Sequence, residues 1–561
     1  MNSKKHNWLK IFLIFIIATS VLARCFEFSD LLLLKGDQVR DIMVTDRAME
    51  EGAGSLSLLG PRAGGTMLRL GPAFYYFQYV SAKMMGANTP TSAALPNLIF
   101  GIASIFLAYL LLKKYFSQNW SLALTTFYAC IFLVIEHARF TWNPNSLPFF
   151  TLLFLYSLMQ VFSEEKNRRW LWVALVGFSL AVAGQLHFTS FIALPIFSVI
   201  FLFFQRKKIV EKIRIWDIFI FFGVILFFYI PVILSDLINH GDNLKLFFKS
   251  IGTKKSDHSF LANISKDIYY FGKYFFRILT GYFGSMKILH YLGSFFMLAG
   301  LAANWFAYKK ERNEERKRFL LMILLWVAIF FMLFIPLAYD IDKPRFFLPL
   351  IFVVSVWVGL IGKFFWERKS VFLKAVFAVF FCAFLLSNII ATAFWLFELS
   401  VSQQKALNPE DTIILKTKKD AAWWTWGIIS RASIFMRDAC VKQKIFYYLP
   451  KKVAEFRPVF DYAHESSGDK RPISSLKKIP SEFENGCYFL VEKNGQKDEM
   501  NLEIEKQASF GDIAVMMIKT GISSDADEKN IQNMNSSQNA EEDADSTTHQ
   551  RAYWRDVFSS K

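Results

Sequence analysis

The chain has 561 residues, 54% of them hydrophobic and 17% aromatic, with 62 Phe, a mean hydropathy of +0.30 and a formal net charge of +17. That is more apolar side chain than a soluble protein of this size can hide, and apolar runs of about 18 or more residues recur, as bilayer spans require. The positive charge lies in short basic loops between those runs, at 205–208 and 309–312 for example; this is the bias of cytoplasmic loops and argues against nucleic acid as a partner.

The runs predict eleven spans: about 8–28, 91–112, 119–136, 145–162, 170–186, 188–204, 215–235, 288–308, 318–338, 345–362 and 371–397. The first has Lys4, Lys5 and Lys10 before it and ends without a neutral small-residue cleavage site, so it reads as an uncleaved anchor. With the N-terminus inside, the inner loops become 113–118, 163–169, 205–214, 309–317 and 363–370, and every one is basic. The odd count leaves the C-terminal region outside. This is an all-α polytopic membrane protein of about eleven transmembrane helices in its first 400 residues.

The first outer loop, 29–90, opens on Gly36-Asp37-Gln38-Val39-Arg40-Asp41. Over 37–51, Val39, Ile42, Met43 and Met49 fall near one helical face, with Asp37, Arg40 and Asp41 off it; this segment and 70–77 read as helices lying along the outer surface. Asp37 and Asp41 stand four residues apart and share a face. A partly desolvated carboxylate at a lipid–water boundary can take a proton from a nucleophile; a solvated acidic residue starting a helix is the structural alternative. Arg62 and Arg69 in the same loop, with Lys245, Lys249, Lys254 and Lys255 in the loop after 235, either attract a lipid-linked phosphate or face solvent.

Farther along, Glu136 and His137 end the third span, and Arg139, Trp142 and Asn143 follow. Glu136 and His137 are costly there unless paired or wet, and Arg139 either pairs with Glu136 or holds a phosphate. Gln185 and His187 occupy a connection so short that both must sit at the outer mouth, as ligands or as a tie between helix ends. The segment 266–287, interrupted by Gly272, Gly281 and Gly284, reads as interfacial or re-entrant. Asp340 and Asp342 spell a D-x-D, which we treat as a chance match, and Arg345 opens a span at its outer end, placed either to snorkel to the interface or to grip an anion.

Beyond residue 400 the pattern changes. Alternating runs at 444–449, 487–491 and 513–518, with a helical stretch around 421–440, predict a small α/β domain over 401–520. Cys440 and Cys487 both fall in it, where a disulfide can form if the domain is outside. Residues 521–561 read as a mostly disordered polar tail. No G-x-x-x-x-G-K-[ST], H-E-x-x-H or C-x-x-C is present, so ATP-driven transport and the familiar zinc sites lack support, and no metal or other cofactor is expected.

Taken together, 36–41, Leu70-Gly71-Pro72 with Tyr75-Tyr76, 138–145, 185–187 and Arg345-Phe346-Phe347-Leu348-Pro349 resemble bacterial GT-C glycosyltransferases that use polyprenyl-phosphate sugars, the broad family of protein O-mannosyltransferases and the lipid A aminoarabinose transferase. The resemblance covers about residues 8–400. It implies a multi-helix bundle with interfacial helices in the first outer loop and a periplasmic domain. It also implies inverting transfer from a polyprenyl-phosphate-linked sugar donor to a cell-envelope acceptor, at the outer face of the bacterial inner membrane. The base of that reaction maps onto Asp37. Many relatives follow it with Glu where Gln38 stands here, so a second carboxylate role falls to Asp41. Arg62, Arg69, Tyr75, Tyr76, Glu136, His137, Arg139, Asn143, Gln185, His187 and Arg345 are the candidate substrate-binding residues.

Two other classes compete: a transporter or flippase of a lipid-linked glycan, and a non-catalytic membrane scaffold or sensor. A transporter places ionisable groups near the bilayer midplane on broken helices with repeat symmetry; here midspan charges are nearly absent and no repeat is obvious. A scaffold leaves Asp37, Glu136 and Arg345 without a common purpose.

Overall fold

The computed structural model describes residues 2–64, 66–163, 168–253, 258–337, 341–407, 412–414, 424–442, 444–480, 483–494, 502–520 and 552–559. All eleven expected spans coincide with helix. They are α1 (Asn2–Cys25), then, after the surface helices α2 (Gly36–Glu51) and α3 (Ala73–Met85), α4 (Pro90–Leu112), α5 (Gln118–Cys130) with α6 (Phe132–His137), and α7 (Leu147–Val161). Next come α8 (Arg169–Leu186), α9 (Phe188–Phe204), the short α10 (Arg206–Lys212), α11 (Ile215–Ile238), the surface helix α12 (Asp242–Thr253) and α13 (Phe260–Thr280). The bundle ends with α14 (Lys287–Lys310), α15 (Glu314–Phe334), α16 (Ile351–Trp366) and α17 (Val371–Ser402). Seven of these segments, α4, α8, α11, α14, α15 with its extension to Leu337, α16 from Leu348, and α17, are long and apolar enough to cross a bilayer; α9 and α10 together make a bent pair. The span expected at 119–136 is instead two helices broken at Ile131, whose backbone is extended (φ −56°, ψ 117°).

Local sequence explains the ends. Thr89 caps α4 by accepting from the Ser92 amide, Ser92 returns the bond to Thr89, and Pro90 fills the first helical turn, where its missing N–H costs nothing. Residues 260–280 form one continuous helix, unbroken at Gly272. That glycine lies against α14, where a Cβ would collide with Ser294 and the His290 carbonyl, and Gly293 in turn lies on Gly272. The glycine pair therefore lets two helices cross closely, and the real stop is Gly281 in the left-handed region (φ 68°).

The C-terminal domain packs α18 (Trp426–Ala439) and α19 (Arg457–Ser466) on a five-stranded sheet: β1 (Ile445–Tyr448), β2 (Ile473–Leu476), β3 (Cys487–Lys493), β4 (Ile504–Phe510) and β5 (Ile513–Ile518). The order is β2-β1-β3-β5-β4, with β1 parallel to β2 and β3, and β5 antiparallel to β3 and β4. β3 reads as a continuous apolar run because both faces are covered, whereas β2 and β4 are edges too polar to show in the hydropathy pattern. Cys440 and Cys487 form a disulfide.

This domain sits on the segment between α1 and α4. Leu33 bridges Thr425, the Trp426 amide donates to the Leu32 carbonyl (2.8 Å), and Lys35 pairs with Glu455 (3.4 Å). Val39 and Ile42 of α2 share one core with Trp424, Ile428, Phe456 and Phe460. Burying each of those two aliphatic side chains stabilises the docking by about 1.5–3 kcal/mol. Far away, where α4 ends, Lys114 pairs with Glu315 at the start of α15 (2.8 Å). The surface helices and the α/β domain therefore occupy one end of the bundle and the basic loops the other.

Of the tail, 521–551 lies outside the described residues. Residues 552–559 have structure: Ser57 bridges Tyr553, and α20 (Trp554–Ser559) rests on the segment 51–58 and on Tyr76. This stretch closes a tail read as mostly disordered and polar, and its aromatic Tyr553 and Trp554 find partners that the local sequence does not contain.

Candidate active site

Helix α2 positions the acidic pair. Gln38 is buried, and its side chain accepts from the Lys35 amide (2.9 Å), closing the first turn as a cap. The position filled by Glu in many relatives thus has a structural task here that an amide performs. One turn on, Arg40 donates to Asp37 (Nη1–Oδ1, 2.9 Å) and to Asp41 (Nη2–Oδ1, 2.9 Å). Tyr75 on α3 also donates to Asp41 Oδ1 (3.0 Å). The two carboxylates differ sharply in surroundings, since the Asp37 side chain is 63% exposed and that of Asp41 2%. Burial pushes the Asp41 carboxyl above its ordinary pKa, with Arg40 and Tyr75 pulling against it. The sequence reading put Asp41 off the buried face and Met43 on it; the structure reverses both. A second shared face, toward α3 and the α/β domain, wraps farther round α2 than one apolar stripe suggests.

Three residues beyond Tyr75, Gln78 donates to Thr141 (2.8 Å) and lies beside Thr45 of α2 (3.4 Å). Thr141 precedes Trp142, and the Arg345 guanidinium lies 5.4 Å from the Trp142 ring centroid and 5.4 Å from that of Phe346. Gly64, at the tip of the turn 60–70, is also against Arg345: a Cβ there would meet its Nη2 at 3.2 Å. Phe346 packs edge-on to His187, ring centroids 5.4 Å apart. His187 caps α9 through Thr189, and two residues before it Gln185 accepts from the Ala73 amide at the start of α3 (3.2 Å) and donates to the Phe228 carbonyl (2.8 Å). Gly71 has no side chain because Gln185 fills that space. Contacts therefore run in a closed circuit, α2–Tyr75–α3–Gln185–His187–Phe346–Arg345–Trp142–Thr141–Gln78–α2, joining segments from four parts of the chain at one end of the bundle.

The remaining expected site residues divide. Asn143 donates to the Leu186 carbonyl (2.6 Å), a tie within the circuit. Tyr76 donates to the Ser57 carbonyl (3.1 Å). Arg62 and Arg69 face each other across the turn 60–70 beside Asp236, Asn239, Asp242 and Asn243, so acidic residues line that pocket with them. Arg139 is buried and donates to the carbonyls of Ala23, Arg24 and Phe26 (2.9, 2.8 and 2.6 Å), closing the end of α1. The guanidinium expected to meet Glu136 or a phosphate is thus occupied by backbone. Glu136 and His137 are both buried, and His137 Nδ1 bonds the Leu133 carbonyl (3.0 Å). Asp340 of the D-x-D lies outside the described residues; Asp342 accepts from Lys273 (2.5 Å) and Tyr274 (3.2 Å). Lys254 and Lys255 are likewise outside them. Among the described residues, no three His, Cys, Asp or Glu side chains gather as metal ligands do.

Comparison with known proteins agrees with this architecture. Residues 70–234 match the family model of dolichyl-phosphate-mannose-protein mannosyltransferase. The fold is similar to that of ArnT from Cupriavidus metallidurans bound to undecaprenyl phosphate, with 12% identity over 91% of this chain and 98% of that one and a TM-score of 0.53. The apo form of the same ArnT gives 11% identity, 92% and 99% coverage and a TM-score of 0.52. No curated protein matches at the sequence level. The chain is a polytopic membrane protein whose fold is similar to that of ArnT and whose residues 70–234 match a mannosyltransferase family model. The segment that matches the mannosyltransferase family, 70–234, holds Tyr75, Gln78, Thr141, Trp142, Gln185 and His187 of the circuit, and leaves α2 and Arg345 outside it.

Arg40 and Trp142 carry more of the geometry than the sequence reading gave them. Arg40 was readable from its spacing, three residues after one Asp and next to another; the Trp142–Arg345 stack joins residues some 200 positions apart and leaves no local signal.

Proposed function

We propose that the protein transfers a sugar from a polyprenyl-phosphate donor to a cell-envelope acceptor at the periplasmic face, by a single inverting displacement with Asp37 as general base. The acceptor hydroxyl gives its proton to Asp37 as its oxygen bonds the anomeric carbon. The bond from that carbon to the phosphate oxygen breaks, and the lipid phosphate leaves with one more negative charge. Arg345, fixed against two rings, meets that developing charge, and a pre-oriented cation in a water-poor site is commonly a large catalytic term.

One observation carries the choice of base: Asp37 is exposed, while Asp41 is sealed under Tyr75 and Arg40. A base must reach its substrate. Asp41 then serves as the anchor that orients Arg40. The match to protein mannosyltransferases and the lipid phosphate bound by the ArnT relative support the donor class. The disulfide and the basic loops at the opposite end support an outward α/β domain and an inward N-terminus.

The test is Asp37→Asn in reconstituted membranes supplied with a polyprenyl-phosphate sugar. Transfer should fall by about 10²–10⁴-fold with lipid-phosphate binding retained. Undiminished turnover removes Asp37 from the role, and lipid movement without glycosidic product favours the flippase.

A further inference from the structure

The last described residues return to the first outer loop across roughly 500 positions of sequence, and their contacts reach both halves of the site. The Leu58 amide donates to the Ala552 carbonyl (2.9 Å), the Trp554 amide donates to the Leu56 carbonyl (3.3 Å), and Ser57 bridges Tyr553, so the tail adds a short strand to the loop. Side chains reinforce this: Arg555 pairs with Glu51 at the end of α2 (2.8 Å), and Arg47 donates to the Tyr553 hydroxyl (3.2 Å). Ala552 is buried, and Gly54 lies against Arg555.

Two connections give this docking a consequence. Leu58 leads directly into the turn 60–70, a hairpin closed by Gly60 N to Leu70 O (2.7 Å), Leu70 N to Pro61 O (2.9 Å) and Ala63 N to Leu68 O (2.8 Å), with Gly64 of its tip on Arg345. The tail thus grips the base of a lever whose tip touches the guanidinium. Independently, Trp554 Nε1 donates to the Tyr76 hydroxyl (2.9 Å), and Tyr76 is the neighbour of Tyr75, which holds Asp41.

We propose that Ala552–Ser559 is an intramolecular clamp that positions the first outer loop for donor binding, with Trp554 as its principal positioning residue. The catalytic part of this inference rests on the assignment of Arg345 to the donor phosphate; the docking itself does not.

The experiment uses the full-length protein in nanodiscs beside a chain ending at residue 550 and the variant Trp554→Phe, which keeps the ring and loses the N–H. Hydrogen exchange over 55–60 should quicken at least tenfold in the truncated chain and less in Trp554→Phe. Binding of polyprenyl phosphate should weaken about tenfold in the truncated chain. A synthetic 551–561 peptide added at millimolar concentration should restore both. In transfer assays the donor KM should rise with kcat nearly unchanged. Exchange at 55–60 equal to wild type would overturn the docking. Quickened exchange with unaltered lipid-phosphate affinity would overturn the positioning role while leaving the docking. If Arg345→Ala binds polyprenyl phosphate as tightly as wild type while the truncated chain still shows quickened exchange, the assignment of Arg345 fails and the docking stands.

Discussion

Asp37 and Asp41 stand one helical turn apart and grip the same guanidinium, that of Arg40, yet one carboxylate faces water and the other is enclosed. That asymmetry separates their roles experimentally. Asp41→Asn keeps an acceptor for Tyr75 but removes the charge that holds Arg40. We expect a loss of about 1–3 kcal/mol in stability, below the full cost of breaking a buried pair because Arg40 is partly exposed, and a fall in kcat of roughly tenfold. Asp37→Asn should leave the unfolding temperature nearly unmoved and lower turnover by about 10²–10⁴-fold. Parallel thermal unfolding and transfer assays check both; equal kinetic losses with equal destabilisation would merge the two roles.

Arg345 meets two aromatic faces and the tip of the hairpin, a planar fit that Lys does not reproduce. Arg345→Lys should raise the dissociation constant for polyprenyl phosphate about tenfold and Arg345→Ala about a hundredfold, the range of one charge-assisted hydrogen bond or two. Titration by tryptophan fluorescence or calorimetry measures it. An Ala variant that binds as tightly as wild type would remove Arg345 from the phosphate site.

Much of this protein was legible because bilayer spans write themselves into sequence. All eleven predicted spans are helical, and α2, α3 and the C-terminal domain fall where hydropathy and alternation put them. What stayed hidden depended on partners far away in the chain. Asp41 reads as a surface acid until Tyr75 and Arg40 cover it. Gly272 reads as a break until α14 crosses it, and edge strands β2 and β4 show no alternation because neither face is fully covered. At the site, the types and the order of the residues were readable. Which side chains hold helix ends was less so, and Arg139, bound to the carbonyls at the end of α1, is the clearest case.

For Arg139 the structure predicts damage to stability rather than to chemistry. Its three bonds to the carbonyls of Ala23, Arg24 and Phe26 close the end of α1. Arg139→Gln leaves those acceptors short of partners, each worth about 1–3 kcal/mol when buried. The unfolding temperature should drop by several degrees while kcat/KM per folded molecule stays within about threefold. A selective rise in donor KM without destabilisation would return Arg139 to the substrate.

Reduction of the Cys440–Cys487 disulfide tests the domain in the same spirit. The bridge spans 47 residues, and in the chain-entropy account a loop of that size is worth about 4 kcal/mol. Dithiothreitol, or the double Cys→Ser variant, should lower the unfolding transition of the α/β domain. Because Val39 and Ile42 belong to that domain's core, hydrogen exchange in α2 should quicken with it. Exchange in α2 that ignores reduction would show that the two do not unfold as one unit.

Finally, the α2–domain interface should depend on pH through Asp46. Burial pushes its carboxyl up to about 6; the Asn88 hydrogen bond (2.9 Å) opposes this, and nearby Glu50 and Glu465 add to it. A carboxyl whose folded pKa is raised binds its proton more tightly in the folded state. Its contribution is therefore fully present below the unfolded value near 4 and is lost as pH rises through about 6. Solvent screening at this half-buried site reduces the effect to about 1 kcal/mol. Wild-type protein should gain that much stability on going from pH 7.5 to pH 5 relative to Asp46→Asn, which cannot ionise and whose own curve should be flatter over the interval. Thermal unfolding of the pair at both pH values measures the difference. If the two curves run parallel, Asp46 is hydrated in the folded protein and the interface has no such proton to bind.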